Sequence, residues 1–304
     1  TSHNGLGTVL PSSGAGIYFD ESNDVVSAGK NVSCTNCSSS HDQHGVVIRD
    51  SIDIFLDGIT SREPLFGPAL DIDNSGITER EGRVSLSNIT VFQNSSTHSV
   101  KLNLADATID NLEIVGSNYG VKWTATGGMT SYLNSSLIRG SQGCMELIDH
   151  TDLISSSVLF ECESANPSVS SSFVNFTDSS FSTALGMSDT FSTLGNSHIR
   201  WISSSQIATP NFTGSDNIVD IMWFVEANVV NQNLRNIPFS DVNFSFDQLE
   251  VEFTHTLPYS GREVVGPFIG QRWTPIQSWS QNTTMSPGCD YDDVHNDSAP
   301  IQLT

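Results

Sequence analysis

The chain is short of positive charge: Lys and Arg total 12 against 34 Asp and Glu, a formal net charge of −22 over 304 residues. A surface of that sign repels phosphates, which argues against nucleic acid and anionic membranes as partners. Charge of either sign is itself scarce, at 15% of residues. The polarity comes from uncharged Ser, Thr and Asn, a balance common in secreted β-rich proteins and unusual for a cytosolic enzyme. Long apolar runs are missing as well. The longest candidate, Ile218 to Val230, is interrupted by Asp220, Glu226 and Asn228, so no segment reads as a membrane span. Helix periodicity is nearly absent. There is no G-x-S-x-G elbow, phosphate loop or H-E-x-x-H pair. The chain opens on Thr1 with no leader, and reads as a processed form or an excised part of a longer protein.

What is present is a ragged repeat. A short polar turn followed by an apolar anchor recurs at Val32, Ile59, Ile89, Leu112, Leu137, Val158, Phe181 and Ile207, with spacings of 21 to 30 residues. Between the turns lie short alternating runs, such as Ile52-Asp53-Ile54-Phe55-Leu56, Val100-Lys101-Leu102 and Val121-Lys122-Trp123. Period-two alternation marks strands with one buried face. One such coil cannot bury its apolar face, but a stack of coils can. The anchors Ile59, Ile89, Leu112, Leu137, Val158 and Phe181 are therefore expected in one inward ladder, with Asn and Ser in stacked turns.

This ladder resembles that of right-handed parallel β-helix proteins, the architecture of pectate-lyase-like enzymes and many surface proteins. The pattern changes near residue 215. A long run, Asn217 to Val229, is followed by a polar turn, Asn231 to Pro238, then by Val242-Asn243-Phe244-Ser245-Phe246, Leu249 to Thr254, and a turn at Leu257-Pro258-Tyr259-Ser260-Gly261. That succession is similar to immunoglobulin-like β-sandwich modules of extracellular proteins; strands capping the solenoid are the other reading. The expectation is an all-β chain: an N-terminal lead-in or cap over 1–14, a right-handed parallel β-helix solenoid over 15–212, a small antiparallel β-sandwich over 213–278, and an irregular acidic tail over 279–304.

Ligating and reactive residues cluster in few places. Cys34, Cys37, His41 and His44 lie within eleven residues. Thiolates and imidazoles suit zinc or copper, whereas an oxidising compartment would join Cys34 to Cys37. Cys144 and Cys162 are 18 residues apart, under one coil, and read either as a bridge between stacked rungs or as two buried small residues. Cys289 is left over. Asp71, Asp73 and Ser75, then Gly76 and Glu79, resemble the start of an EF-hand calcium loop, but position twelve is Gly82 where a bidentate Glu belongs. Calcium is the one cofactor this suggests, and an acidic β-helix turn is the competing reading.

Ten N-x-S/T triplets, at Asn31, Asn36, Asn88, Asn94, Asn134, Asn175, Asn211, Asn243, Asn282 and Asn296, are candidate glycosylation sites or the by-product of a Ser- and Asn-rich chain. Polysaccharide-cleaving β-helices need paired carboxylates or a base beside a cation. The candidates here are Lys101 and Lys122, in matching Val-Lys frames, with Arg139, Asp149, His150 and Asp152. Trp123, Trp201 and Tyr132 would stack on sugars if exposed, with core packing the alternative for the two Trp. The functional expectation is an extracellular or cell-surface structural, adhesive or glycan-binding module, whose partner is a glycan or another surface protein. A polysaccharide lyase or glycoside hydrolase, and a self-associating lattice or filament subunit, are the alternatives.

Overall fold

A computed structural model describes residues 15–302 apart from 21–30, 36–37, 41–43, 50–51, 63–66, 76–83, 93–96, 116–118, 127, 163–167, 184–189, 205–208, 231–232, 248–250, 281 and 288–298. Among the described residues the structure is all-β and without helices, and its larger part is a β-solenoid of about six turns. The chain divides into two compact units, one of residues 1–199 and 204–217, the other of 200–203 and 218–304.

In the first unit, one face of the solenoid is a nine-stranded parallel sheet. Its order is Ala15–Asp20, His44–Arg49, Leu70–Asp73, His98–Asn103, Tyr119–Thr124, Gly143–Ile148, Ser168–Ser170, Thr190–Leu194 and Thr209–Thr213. The register is strict: Leu70 faces Val100, Val121 faces Val100 and Met145, and Trp123 faces Leu102 and Leu147. Ile48, Ile72, Leu102, Trp123, Leu147 and Val169 thus form a continuous buried column. Alternate residues point outward, as a pleated strand requires.

The second sheet forks. Val84–Phe92 and Ala107–Val115 are single strands, each with a left-handed residue in mid-course, Asn88 (φ 52°) and Asn111 (φ 58°). In the next coils the same corner splits the strand in two. Ala107–Val115 pairs with Ser131–Asn134 on one side of the corner and with Leu137–Gly140 on the other. Leu153–Ser156 with Leu159–Cys162, and Phe173–Thr177 with Ser180–Thr183, repeat the division. Each coil therefore presents three faces.

The corner column corrects the expected register of one anchor. Left-handed residues sit at Gly58, Asn88, Asn111, Ser135, Ser157 and Asp178, and the residue after each turns inward. Ile59, Ile89, Leu112 and Val158 are buried there as anticipated, but the fourth rung buries Ser136, and Leu137 is only half-buried. At the sixth rung Ser179 fills the position; the side chain of Phe181 lies outside the described residues. Serine can replace an aliphatic residue because its hydroxyl satisfies a buried amide that the corner would otherwise strand. Ser136 Oγ accepts Leu112 N at 3.1 Å and donates to Asn134 O at 2.6 Å. Ser179 Oγ accepts Val158 N at 3.2 Å and donates to Thr177 O at 2.9 Å.

The corner after the first sheet follows the same rule. Leu104, Asp149, Ser171 and Gly195 adopt positive φ. Behind them His150 N donates to Ser172 Oγ, Ser172 N to Ser197 Oγ, and Ser197 N to Asn217 Oδ1. Outside the other corner an amide ladder runs along the coils: Asn111 Nδ2 donates to Asn88 Oδ1 at 2.9 Å, and Asn88 Nδ2 to Asp57 Oδ1 at 2.8 Å. The Ser87 and Asn88 bonds hold the Asp57 carboxyl below its usual pKa.

Cys144 and Cys162 form a disulfide, with Cα atoms 5.2 Å apart. It joins the first strand of one coil to the last strand of the same coil, so it closes a turn on itself rather than linking two rungs.

The second unit is antiparallel. Ile218–Asn228 pairs with Arg262–Trp273, which also pairs with Ser278–Ser280. Asp241–Phe246 pairs with Val251–Thr256 and with Asn282–Pro287. Val225, Ala227 and Val265 from the first group pack with Val242, Phe244 and Phe246 from the second in one buried cluster. Asp220, fully buried, receives a bidentate pair of bonds from Arg272 at 2.6 and 2.8 Å. The segment expected to be an irregular tail holds two strands, Asn282–Pro287 and Ala299–Gln302. Thr283, Thr284 and Ile301 supply a β preference that the Ser and Asn content of the segment conceals.

Candidate functional site

The outward column of the parallel sheet carries its chemistry. From coil to coil the register aligns Val47, Asp71, Lys101, Lys122, Glu146 and Ser168. Neighbouring columns add Arg49, Asp73 and Asn103 on one side, His98 and Tyr119 on the other. The matching Val-Lys frames do place Lys101 and Lys122 side by side, on rungs about 4.8 Å apart.

These groups are unequally compensated. Lys122 Nζ lies 3.0 Å from Glu146 Oε1, and His98 Nε2 lies 3.6 Å from Glu146 Oε2. Asp71 Oδ2 is held by Arg49 Nη2 at 2.5 Å, while its buried Oδ1 has no hydrogen-bond partner among the described residues. Lys101 makes no ion pair among the described residues, although Asp71 is its register neighbour. Burial opposes the charge of Asp73, but bonds from Asn103 and Ser75 outweigh it and hold its carboxyl below the usual range. Burial, aided by Lys122 and Lys101 against the pull of Glu146, lowers the pKa of His98 and keeps its imidazole neutral near pH 7. The His98 and Tyr119 rings are 5.2 Å apart.

The remaining candidates are not brought to this face. Arg139 lies on the forked sheet in an ion pair with Glu161. Asp149 occupies the left-handed corner position. Asp152 accepts Thr130 Oγ1 at 3.2 Å. His150 is buried, so it is a core residue and not a surface acid or base. Its ring stands edge-on to Trp123 at 4.8 Å, and Nε2 lies 3.3 Å from Trp123 O. Nδ1 has no partner among the described residues. Trp123 and Trp201 are likewise buried and Tyr132 is exposed.

That burial gives a pH dependence. Desolvation drives the His150 pKa from 6.5 down to about 4. The unfolded chain takes up this proton near pH 6.5, whereas the folded chain resists it until about pH 4. Stability is therefore complete above pH 6.5, falls as the pH drops towards 4, and levels off for this group below that. The span corresponds to about 3 kcal/mol. Urea unfolding at pH 7, 5 and 4 should show this loss, and His150→Leu should flatten it.

Leu70–Asp73 is a strand, so the first residues of the calcium-loop pattern stand in a ladder; Glu79 lies outside the described residues. Among the described residues no group of three or more His, Cys, Asp or Glu side chains is arranged to hold a metal ion. Cys37 and His41, and the side chains of Cys34 and His44, lie outside the described residues, as does Cys289. Of the N-x-S/T sites, Asn211 is exposed, and Asn134, Asn175 and Asn243 are half-exposed on strands. Asn88 is exposed, but its Nδ2 is engaged by Asp57. Asn36, Asn94 and Asn296, and the side chains of Asn31 and Asn282, are not described.

A concave feature lies on the forked sheet. A groove of 390 Å³ is lined by Asp106, Thr108, Met129, Thr130 and Tyr132, with Val84 and Ala107 beneath. The Asp106 carboxylate shapes its rim by accepting Thr126 N and Met129 N, each at 3.0 Å.

His98, Tyr119 and Glu146 were not singled out from the sequence. Extending the two Val-Lys frames by one rung, to Met145-Glu146, gives the signal: His98 and Tyr119 stand three residues before Lys101 and Lys122. A scan against protein-family models finds no matching family, and neither curated proteins nor solved structures compared with the chain provide a match.

Proposed function

We propose that the solenoid is a glycan-binding module of an extracellular or cell-surface protein, and that it takes an anionic polysaccharide along the outward column of the parallel sheet. The pairing of Lys101 with Lys122 carries this reading. The whole chain has three lysines, Lys30, Lys101 and Lys122, and two of them are register neighbours. Like charges at directly opposed positions of neighbouring strands are unfavourable. Glu146 offsets Lys122 alone, so a carboxylate or sulfate of a sugar completes the column at Lys101. Tyr119 beside the pair offers a ring edge to the sugar. The extracellular setting is supported by the disulfide and by the Ser- and Asn-rich surface.

We read the coil as right-handed, since parallel crossovers are right-handed in about 98% of cases. The second unit is an immunoglobulin-like sandwich in this proposal, supported by its two antiparallel groups around one apolar cluster. A specific observation favours a second reading, polysaccharide lyase: a neutral His98 beside two lysines can accept a proton next to a neutralised uronate.

Calorimetry with uronate-containing and sulfated polysaccharides at low salt tests the site. Lys101→Gln and Lys122→Gln should each weaken binding about tenfold, the value of one charge-assisted contact of about 1.4 kcal/mol. Binding should also fall as salt rises. Binding that survives the double substitution, or none to any acidic glycan, removes the proposal. New ultraviolet absorbance during incubation, lost in His98→Gln, selects the lyase.

A further inference from the structure

We infer that one end of the second unit is a peripheral lipid-binding tip that dips into the interface of a zwitterionic membrane. The strand ladders place two connections at that end. Asn228 is paired with Arg262 and Asp241 with Thr256, so residues 229–230, 233–240 and 257–261 lie at that end. They carry Leu234, Phe239 and Tyr259, which are 82%, 66% and 78% exposed. The Phe239 and Tyr259 rings are 6.0 Å apart.

Three features separate this end from a chance apolar surface. Leu234 (φ 58°) and Phe239 (φ 56°) are both in the left-handed region. That conformation is costly for bulky side chains and persists where the surroundings impose it. The surroundings do impose it. Val229 N bonds Gly261 O, Ile237 N bonds Val229 O, Phe239 N bonds Pro258 O and Leu257 N bonds Ser240 O. Asn236 Nδ2 adds a bond to Ser260 O at 2.8 Å. A side chain at Gly261 would collide with the Ile237 backbone, so the two connections are in close contact. The frame holds apolar groups in solvent and pairs part of its own backbone, which lowers the cost of entering a medium poor in hydrogen-bond partners.

Charge and ring geometry select the occupant. Residues 226–241 and 256–263 carry Arg235 and Arg262 against Glu226, Asp241 and Glu263, and Arg262 is paired with Glu226, so this end has no excess of positive charge. With no excess of basic residues, this end has nothing to attract an anionic membrane, whereas a zwitterionic one requires no such charge. The aromatic planes meet at 62°, so they form no flat platform for a sugar chain, and the most exposed of the three, Leu234, has no ring to stack. Leu, Phe and Tyr together are the side chains that settle at a membrane interface, with the Tyr hydroxyl at headgroup level.

Sedimentation of the full chain with phosphatidylcholine vesicles tests the tip. Binding should resist high salt and weaken when phosphatidylserine is added. Leu234→Gly and Tyr259→Ser should each reduce it about tenfold, from one lost apolar contact. Leu234→Gly should at the same time leave the thermal midpoint unchanged or raised, since glycine accepts positive φ; a purely structural Leu234 would instead lower it. Lys101→Gln with Lys122→Gln should leave vesicle binding intact, which separates this tip from the glycan column. No binding to the vesicles, or binding unaffected by Leu234→Gly and Tyr259→Ser, overturns the inference. Tip-dependent binding to glycans without binding to vesicles overturns it in favour of a sugar.

Discussion

Gly120→Ala is expected to cost at least about 3 kcal/mol, the upper end of overpacking effects, and to leave little folded protein at 37 °C. A Cβ at Gly120 would stand 2.1 Å from Cys144 O, 2.9 Å from Cys144 C and 3.0 Å from Arg139 O. All three atoms are backbone, so no rotamer change relieves the contact. Here the start of one face meets the end of another, and the following rung carries the Cys144–Cys162 bridge that ties the meeting point. To admit one methyl group, Tyr119–Thr124 and Gly143–Ile148 would have to part, breaking a parallel ladder whose register runs through five residue pairs. Gly128→Ala is the control. Its nearest neighbours are side-chain atoms, Thr126 Oγ1 at 3.3 Å and Asp106 Oδ2 at 3.5 Å, and it should change stability by less than about 1 kcal/mol. Denaturant unfolding of the two variants provides the comparison; equal stabilities would mean that the coils are not packed as described.

Trp123→Ala should destabilise by about 3–5 kcal/mol, the range for deleting a fully buried aromatic side chain. Trp123 is 0% exposed and its Nε1 donates to Ala105 O at 2.7 Å. It also covers the ring of His150. The substitution thus opens a cavity, orphans a carbonyl and admits water to a histidine held neutral by its dryness. Two readouts should move together. The urea midpoint should fall, and the loss of stability between pH 6.5 and 4 should shrink as the His150 pKa returns towards 6.5. Trp123→Phe keeps most of the volume and should preserve the pH dependence at a smaller cost. A normal pH profile in Trp123→Ala would show that burial by this ring is not what depresses His150.

The solenoid was legible because its physics is periodic. Val46 to Ile48, Ile52 to Leu56, Val84 to Leu86 and Val121 to Trp123 all fall within strands. What the repeat pattern did not show was the register at serine-filled corners. In Ser135-Ser136-Leu137 the eye takes the leucine as the inward residue. The corner geometry instead follows the residue with positive φ, and the hydroxyl next to it serves as an internal hydrogen-bond partner. Burial of a small polar residue leaves no hydropathy signal. The face with Lys101 and Lys122 was half legible for a related reason. Their Val-Lys frames repeat visibly, but the next rung reads Met145-Glu146 and His98 and Tyr119 differ in type, so these residues are marked by spacing alone and not by a repeated residue. Their proximity comes from coil length, which the chain varies. The second unit was readable strand by strand up to Thr256, and less so in Asn282–Pro287, where β-branched residues are diluted by amides and hydroxyls.

The scarcity of lysine has a practical corollary for anyone handling this chain. Side-chain primary amines exist at Lys30, Lys101 and Lys122 only, and the last two share the face assigned to the ligand. Random amine coupling to a sensor chip, bead or dye would therefore fall, besides the α-amine, on three side chains, two of them in this column. Molecules tethered through Lys101 or Lys122 would score as inert. Carboxyl-directed attachment spreads over 34 Asp and Glu residues, so only a minority of molecules would be tethered through Asp71 or Glu146 of the column. Conversely, protection of Lys101 and Lys122 from an amine-reactive reagent, read by mass spectrometry, would serve as a footprint of whatever anion occupies them.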